Sequence, residues 1–172
     1  ALSSNGEMQL LPAGEFRTGD TRPAECACWI TNADIAATLI ADIASRDNPV
    51  VVDYEHQTFL AATNGKPAPA AGWFTAEHME WREGQGLFVR VEWTEAAKLH
   101  IESGEYKFIS PVFNYDKKTG AVIKIINAAL TNNPAIDGME EVSARLTASL
   151  TQQETLSMDI EELSEDLRWM LN

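Results

Sequence analysis

Three polar residues interrupt or end apolar runs in this chain. His56 closes VVVDYEH, Ser110 lies within YKFISPVF, and Asn127 lies within AVIKIINAAL. A serine hydroxyl is a weak nucleophile until a neighbouring base takes its proton. Neutral imidazole, with a reference pKa of about 6.5, does that near neutral pH. A third group must then hold the imidazole in the correct tautomer. The chemistry to look for is acyl transfer through Ser110, with His56 as base and Asn127 as orienter. Asn127 carries no charge to set against an imidazolium, so modest turnover is expected.

Strand periodicity predicts which of these residues meet. Side chains alternate faces with period two. In Val50–His56, the set Val50, Val52, Tyr54 and His56 shares one face, while Val51, Asp53 and Glu55 take the other. In Tyr106–Phe113, Tyr106, Phe108, Ser110 and Val112 share a face. In Ala121–Leu130, Ala121, Ile123, Ile125 and Asn127 share one. Each stripe thus carries one polar residue. A buried polar group without a partner costs roughly 1–3 kcal/mol, so the three could satisfy one another. Asp53 and Glu55 are rivals for the third role that parity turns away from His56. The same parity disfavours a metal cluster at Asp53-x-Glu55-His56, because only His56 shares the face of Ser110. Taken singly, Ser110 and His56 would each suit a purely structural role. His100, on a helix, and His78, near a polar hairpin, are read as solvated.

Pro111 constrains the chemistry further. It restricts Ser110 to extended backbone and has no N–H. The residue after the nucleophile therefore cannot donate to an oxyanion, as it does in α/β-hydrolases. The donors must be the Ser110 N–H or another segment. Asn132 and Asn133, in the turn Thr131–Asn133, are the candidates.

The elements that must position these groups are strand-rich. Glu7–Leu11 reads as a strand, followed by a polar loop from Gly14 to Glu25 and an apolar Cys26–Ile30. Thr31 and Asp34 suggest a capping box opening a helix over Ala33–Arg46. Its stripe is Ile35, Leu39 and Ile43, and Asn48-Pro49 ends it. Gln57–Ala70 reads as a loop, its NGKPAPA portion without helical or strand period. Gly72–Ala76 and Gly86–Trp93 read as strands around a polar hairpin near Glu83-Gly84. Thr94 caps a helix over Glu95–Ser103, which Gly104 ends. Tyr106–Phe113 and Ala121–Leu130 form a hairpin through Asp116–Gly120. Strands with two inserted helices predict a β-barrel-like α+β domain.

Composition sets the class. At 172 residues and 45% hydrophobic, the chain can bury one core. A formal net charge of −13 argues against a nucleic-acid-binding surface, which needs clustered Lys and Arg, and fits a protein partner. Cys26 and Cys28 are too close in sequence to bridge easily, which points to a reducing compartment. A zinc site would need a second Cys/His cluster with ligand spacing, and none is present. No metal or other cofactor is expected. No apolar run reaches membrane-spanning length, and ALSSNGE carries no basic segment of the kind that opens a signal peptide. The chain does not begin with Met, as a processed fragment would not. From Glu140 to Asn172 there are eight acidic and two basic residues. Ile160, Leu163, Leu167 and Met170/Leu171 recur at helical spacing. The expected organisation is a domain over 1–146, then a linker and an acidic amphipathic helix over 147–172. That helix either packs on its own domain or contacts a partner.

The segments VVVDYEHQT, PAAGWF, GLFVRVEWTEAA, GEYKFISPVFNYDKKTG and AALTNNPAIDG together resemble the phage Mu I-like prohead proteases. The likeness covers roughly Glu7 to Met139. These proteins are similar, distantly, to the tailed-phage prohead proteases and to herpesvirus assemblin. The resemblance implies a serine endopeptidase on an assemblin-like antiparallel β-barrel. It would cleave scaffold protein, and itself, inside the immature capsid in the host cytoplasm, with scaffold and major capsid protein as partners. It places the catalytic histidine on His56, in DYEH, and the serine on Ser110, in YKFIS. The third member is acidic in related prohead proteases and a second histidine in assemblin. Here Asn127, Asp53, Glu55 or a Ser–His dyad could serve. By analogy with assemblin a homodimer is expected, and in this family a scaffold region follows the protease. The contrasting readings are a scaffold-interaction module with little peptidase activity and an unrelated metal hydrolase.

Overall fold

The computed structural model of the protein describes residues 7–136. The expected boundary at 146/147 and the acidic C-terminal helix lie outside the described residues.

Apolar strands with β-branched residues assemble into three sheets. Strands β1 (Glu7–Pro12), β6 (Met79–Arg82) and β7 (Gly86–Arg90) form an antiparallel sheet in the order β1-β7-β6. β2 (Gly14–Phe16) and β3 (Trp29–Thr31) pair antiparallel. The sheet that matters for the site has five strands, in the order β8-β5-β4-β10-β9. These are β4 (Val50–Tyr54), β5 (Ala70–Phe74), β8 (Glu92–Trp93), β9 (Phe108–Tyr115) and β10 (Val122–Thr131). The helices are α1 (Ala33–Ala44), α2 (Gln57–Asn64) and α3 (Glu95–Glu102).

The α+β class holds, but the expected antiparallel barrel does not. None of the three sheets closes on itself, and β9 and β8 stand at the edges of the five-stranded one. At its centre β4 and β10 run parallel. Hydrophobic alternation marks a strand but not the direction of its neighbour, and a parallel pair needs a long connection rather than a tight turn. Here that connection runs from Tyr54 to Val122.

Three local expectations also change. The helix cap is Asn32, whose side chain accepts from the Ile35 N–H at 2.9 Å, while Thr31 is buried in β3. The expected strand Gly86–Trp93 divides at Val91 between two sheets, and the hairpin partner of β7 is β6 rather than β5. The expected loop after His56 begins with α2. No residue of α2 is buried, so it has no apolar stripe that would show in the sequence. The β9–β10 hairpin forms as expected. Asp116 accepts from the N–H groups of Lys118 and Thr119, each at 2.8 Å, and Gly120 takes φ +77°, a conformation glycine adopts without strain.

The core lies on one face of the five-stranded sheet. Ile109–Leu130–Tyr54 form one row across β9, β10 and β4, and Pro111–Ala128–Val52 form another. Ile109, Leu130, Ala128 and Val52 pack there with Leu39, Ile43 and Phe74. Pro111 is tolerated because β9 is an edge strand, where a missing N–H breaks no central ladder. Leu130→Ala is expected to cost about 2–5 kcal/mol, measured by urea denaturation with an unchanged m-value.

Candidate active site

Ser110 sits in β9 on the face opposite that core and is 2% exposed. Across the ladder it pairs with Ala129 of β10, and Ala129 pairs with Asp53 of β4. Directly paired residues share a face, so Ser110, Ala129 and Asp53 form one row. Ala129 and Asp53 are fully buried, yet Ala129 does not join the contiguous apolar cluster that takes in its neighbours Ala128 and Leu130. Asn127 pairs with Val112, which puts it on the same face, diagonally next to Ser110. A bulge between Ile125 and Asn127 resets the alternation, so Ile125 joins the core and does not share the face of Asn127, contrary to simple parity.

Parity fails at His56 too. β4 ends at Tyr54, and Glu55 and His56 both take positive φ, 53° and 57°. Two consecutive non-glycine residues in the left-handed region cost about 1–3 kcal/mol each and need support from their surroundings. The support is visible. The Glu55 N–H donates to the Leu130 carbonyl at 3.1 Å, and the Glu55 carboxylate accepts from the Thr131 hydroxyl at 2.9 Å. The Asp53 carboxylate accepts from the Thr58 N–H at 2.7 Å, in the first turn of α2. His56 occupies the cap position of α2, but its side chain makes no capping bond. Asp53 takes over that function and leaves the imidazole unengaged.

The site concentrates unsatisfied polar atoms. Asp53 Oδ1, His56 Nδ1 and Asn127 Oδ1 are buried without a hydrogen-bond partner. Such atoms are rare in folded proteins and call for an explanation, catalysis among them. Burial lowers the His56 pKa to about 4, so the imidazole is neutral at neutral pH. Burial also raises the Asp53 pKa, against the opposing hydrogen bond from Thr58. No hydrogen bond joins Ser110 to His56 among the described residues; nucleophile–base contacts often tighten only with substrate bound.

The other candidates fall elsewhere. The Asn132 carboxamide donates to the Glu105 carbonyl at 2.6 Å and accepts from the Lys107 N–H at 3.2 Å. It ties the end of β10 to the segment entering β9. The Asn133 N–H donates to the Thr131 hydroxyl at 3.1 Å. His100 is not simply solvated: it packs edge-on against Tyr54 and Tyr106 and contacts Glu105. His78 closes a capping box with Thr75 and lies 3.5 Å from the Glu92 carboxylate. Cys26 and Cys28 are free thiols. No helix among the described residues is long and apolar enough to cross a membrane.

Parity discarded Asp53, although one sequence signal favoured it: an acid closing an apolar VVV run belongs to a residue type almost never fully buried without a partner.

Fold and site together define an α+β domain whose mixed sheet carries a buried serine and a desolvated carboxylate in one cross-strand row, with a neutral histidine just beyond the end of β4. The chain belongs to the Mu-like prophage I protein family, whose N-terminal domain model matches residues 8–143. It is 40% identical, over 99% of its length, to a protein of Escherichia phage Mu named Protease I. It is also 40% identical, over 91% of its length, to the Mu-like prophage FluMu I protein of Haemophilus influenzae. The chain spans 48% and 45% of these relatives, about half their length. No solved structure matches it.

The pKa shifts have opposite consequences for stability. Below about pH 6.5 the unfolded chain accepts a proton at His56 that the folded site refuses until about pH 4. This contribution therefore destabilises the fold increasingly as pH falls from about 6.5 to 4. Asp53 acts in reverse, because its folded carboxyl keeps a proton to higher pH than the unfolded one. His56→Gln should flatten the fall in melting temperature between pH 6.5 and 4 relative to wild type, measured by calorimetry.

Proposed function

We propose that this chain is the peptidase part of a phage prohead protease, with Ser110 as nucleophile and His56 as general base. The observation that supports the reading is a buried serine on the cross-strand row that runs to Asp53, three residues before an imidazole kept neutral and without a hydrogen-bond partner. The name of the phage Mu relative, Protease I, supports it. Ser110 Oγ would attack the peptide carbonyl carbon as its proton passes to His56. His56 would return that proton to the leaving amine, and water would hydrolyse the acyl-serine by the same route. An oxyanion donor is sought in the Thr131–Asn133 turn, where the Asn132 carboxamide is engaged by Glu105 and Lys107 and the Asn133 N–H by Thr131, so a donor there must exchange its present partner. The third role is open between Asn127 and Asp53, both on the face of Ser110, with Glu55 and a Ser–His dyad as the other readings.

The substrates in this reading are scaffold protein and the protease's own chain, inside the immature capsid in the host cytoplasm. Major capsid protein is a further contact, and a homodimer is the expected working form. The net charge of −13 favours protein partners over nucleic acid.

A fluorophosphonate probe tests the reading, because it reacts with an activated serine far faster than with an ordinary hydroxyl. Ser110→Ala should abolish labelling, and abolish self-cleavage in a precursor of the relatives' full length, while leaving the melting temperature within a few degrees. Unchanged labelling or processing in that variant would sink the proposal.

A further inference from the structure

The row Ser110–Ala129–Asp53 carries the reading one step further. Two inter-strand spacings separate Ser110 from Asp53, about 10 Å between Cα atoms. The one side chain between them on that face is the methyl group of Ala129. That separation matches the span of one imidazole with a hydrogen bond of about 2.8–3.0 Å at each nitrogen. His56 is three residues beyond Asp53, and its left-handed backbone, with that of Glu55, turns the chain back at the end of β4. Asp53 Oδ1 and His56 Nδ1 are a buried acceptor and a buried potential donor, each without a partner. Asp53 Oδ2 is already fixed by the Thr58 N–H, so the carboxylate has one oxygen anchored and one left over.

Resting on the protease reading, we infer that Asp53, and not Asn127, is the positioning residue of the site: its free carboxylate oxygen holds His56 Nδ1 while the imidazole lies over Ala129 against Ser110. The charge of Asp53 stabilises the imidazolium that forms when the Ser110 proton moves, which the amide of Asn127 could not do. The bond is absent from the structure as it stands, and closure of the imidazole over Ala129 completes the site. Glu55 is no rival, because its carboxylate is held by Thr131.

Fluorophosphonate labelling is again the assay. Ser110 Oγ bonds to phosphorus, fluoride leaves, and His56 takes the proton, so the rate reports the base. Asp53→Asn keeps an acceptor for the Thr58 N–H and removes the charge. It should lower the labelling rate by on the order of 100-fold or more with the melting temperature little changed. The acid limb of its pH–rate profile should move to lower pH, because the anion that favours the imidazolium is gone. A role confined to capping α2 would not move that limb. Asn127→Ala should slow labelling far less than Asp53→Asn does. An Asp53→Asn variant that labels at the wild-type rate overturns the inference and leaves the protease reading intact. Should Asp53→Asn fail to fold, Asn127→Ala decides: loss of labelling there makes Asn127 the orienter. Labelling that survives Ser110→Ala overturns the protease reading itself.

Discussion

The hydrogen bond from the Thr58 N–H to the Asp53 carboxylate holds this site together. It joins the last buried position of β4 to the first turn of α2. Without it the helix start would need its own cap, and His56, which occupies that position, would be drawn in to supply it. Because Asp53 caps from one turn earlier, two left-handed residues fit between strand and helix, and the imidazole remains free of structural duty. Burial of a carboxylate is unfavourable unless it is hydrogen-bonded. Asp53 meets that demand with one oxygen and leaves the other unsatisfied. A group held in this half-satisfied state is costly to maintain, and function is one reason to keep it.

The parallel pairing of β4 with β10 is the second constraint. It sets Asp53 beside Ala129, and the antiparallel hairpin sets Ala129 beside Ser110. One face of these strands builds the core through Val52, Leu130 and Ile109. The other presents the serine, the carboxylate and Asn127. A one-residue slip would exchange the two faces, so the packing of the core also fixes the register of the candidate site.

Much of this was legible in the sequence. The strands around Ser110 and Asn127, the Asp116–Gly120 hairpin, and the helices that begin at Ala33 and Glu95 follow from alternation, apolar stripes, the Thr94 cap and turn chemistry. Ser110 and Asn127 do share a face, but through a bulge after Ile125 that simple alternation did not include. The relation of His56 to Asp53 was not legible. Period two holds only while the backbone stays extended, and nothing in DYEHQT announces that Glu55 and His56 leave the strand with positive φ. Helix α2 was hidden for a related reason: it buries no side chain, so no stripe marks it. The parallel centre of the sheet was hidden because alternation is the same for either strand direction.

A crystal structure of the protein carrying a phosphonate adduct most directly tests whether this sheet positions a serine nucleophile. The phosphorus is expected on Ser110 Oγ, with the His56 imidazole over Ala129, its Nε2 beside the adduct and its Nδ1 within about 3 Å of the Asp53 carboxylate. An adduct on another residue, or an imidazole turned away from the Ser110–Asp53 row with the adduct in place, would contradict the account.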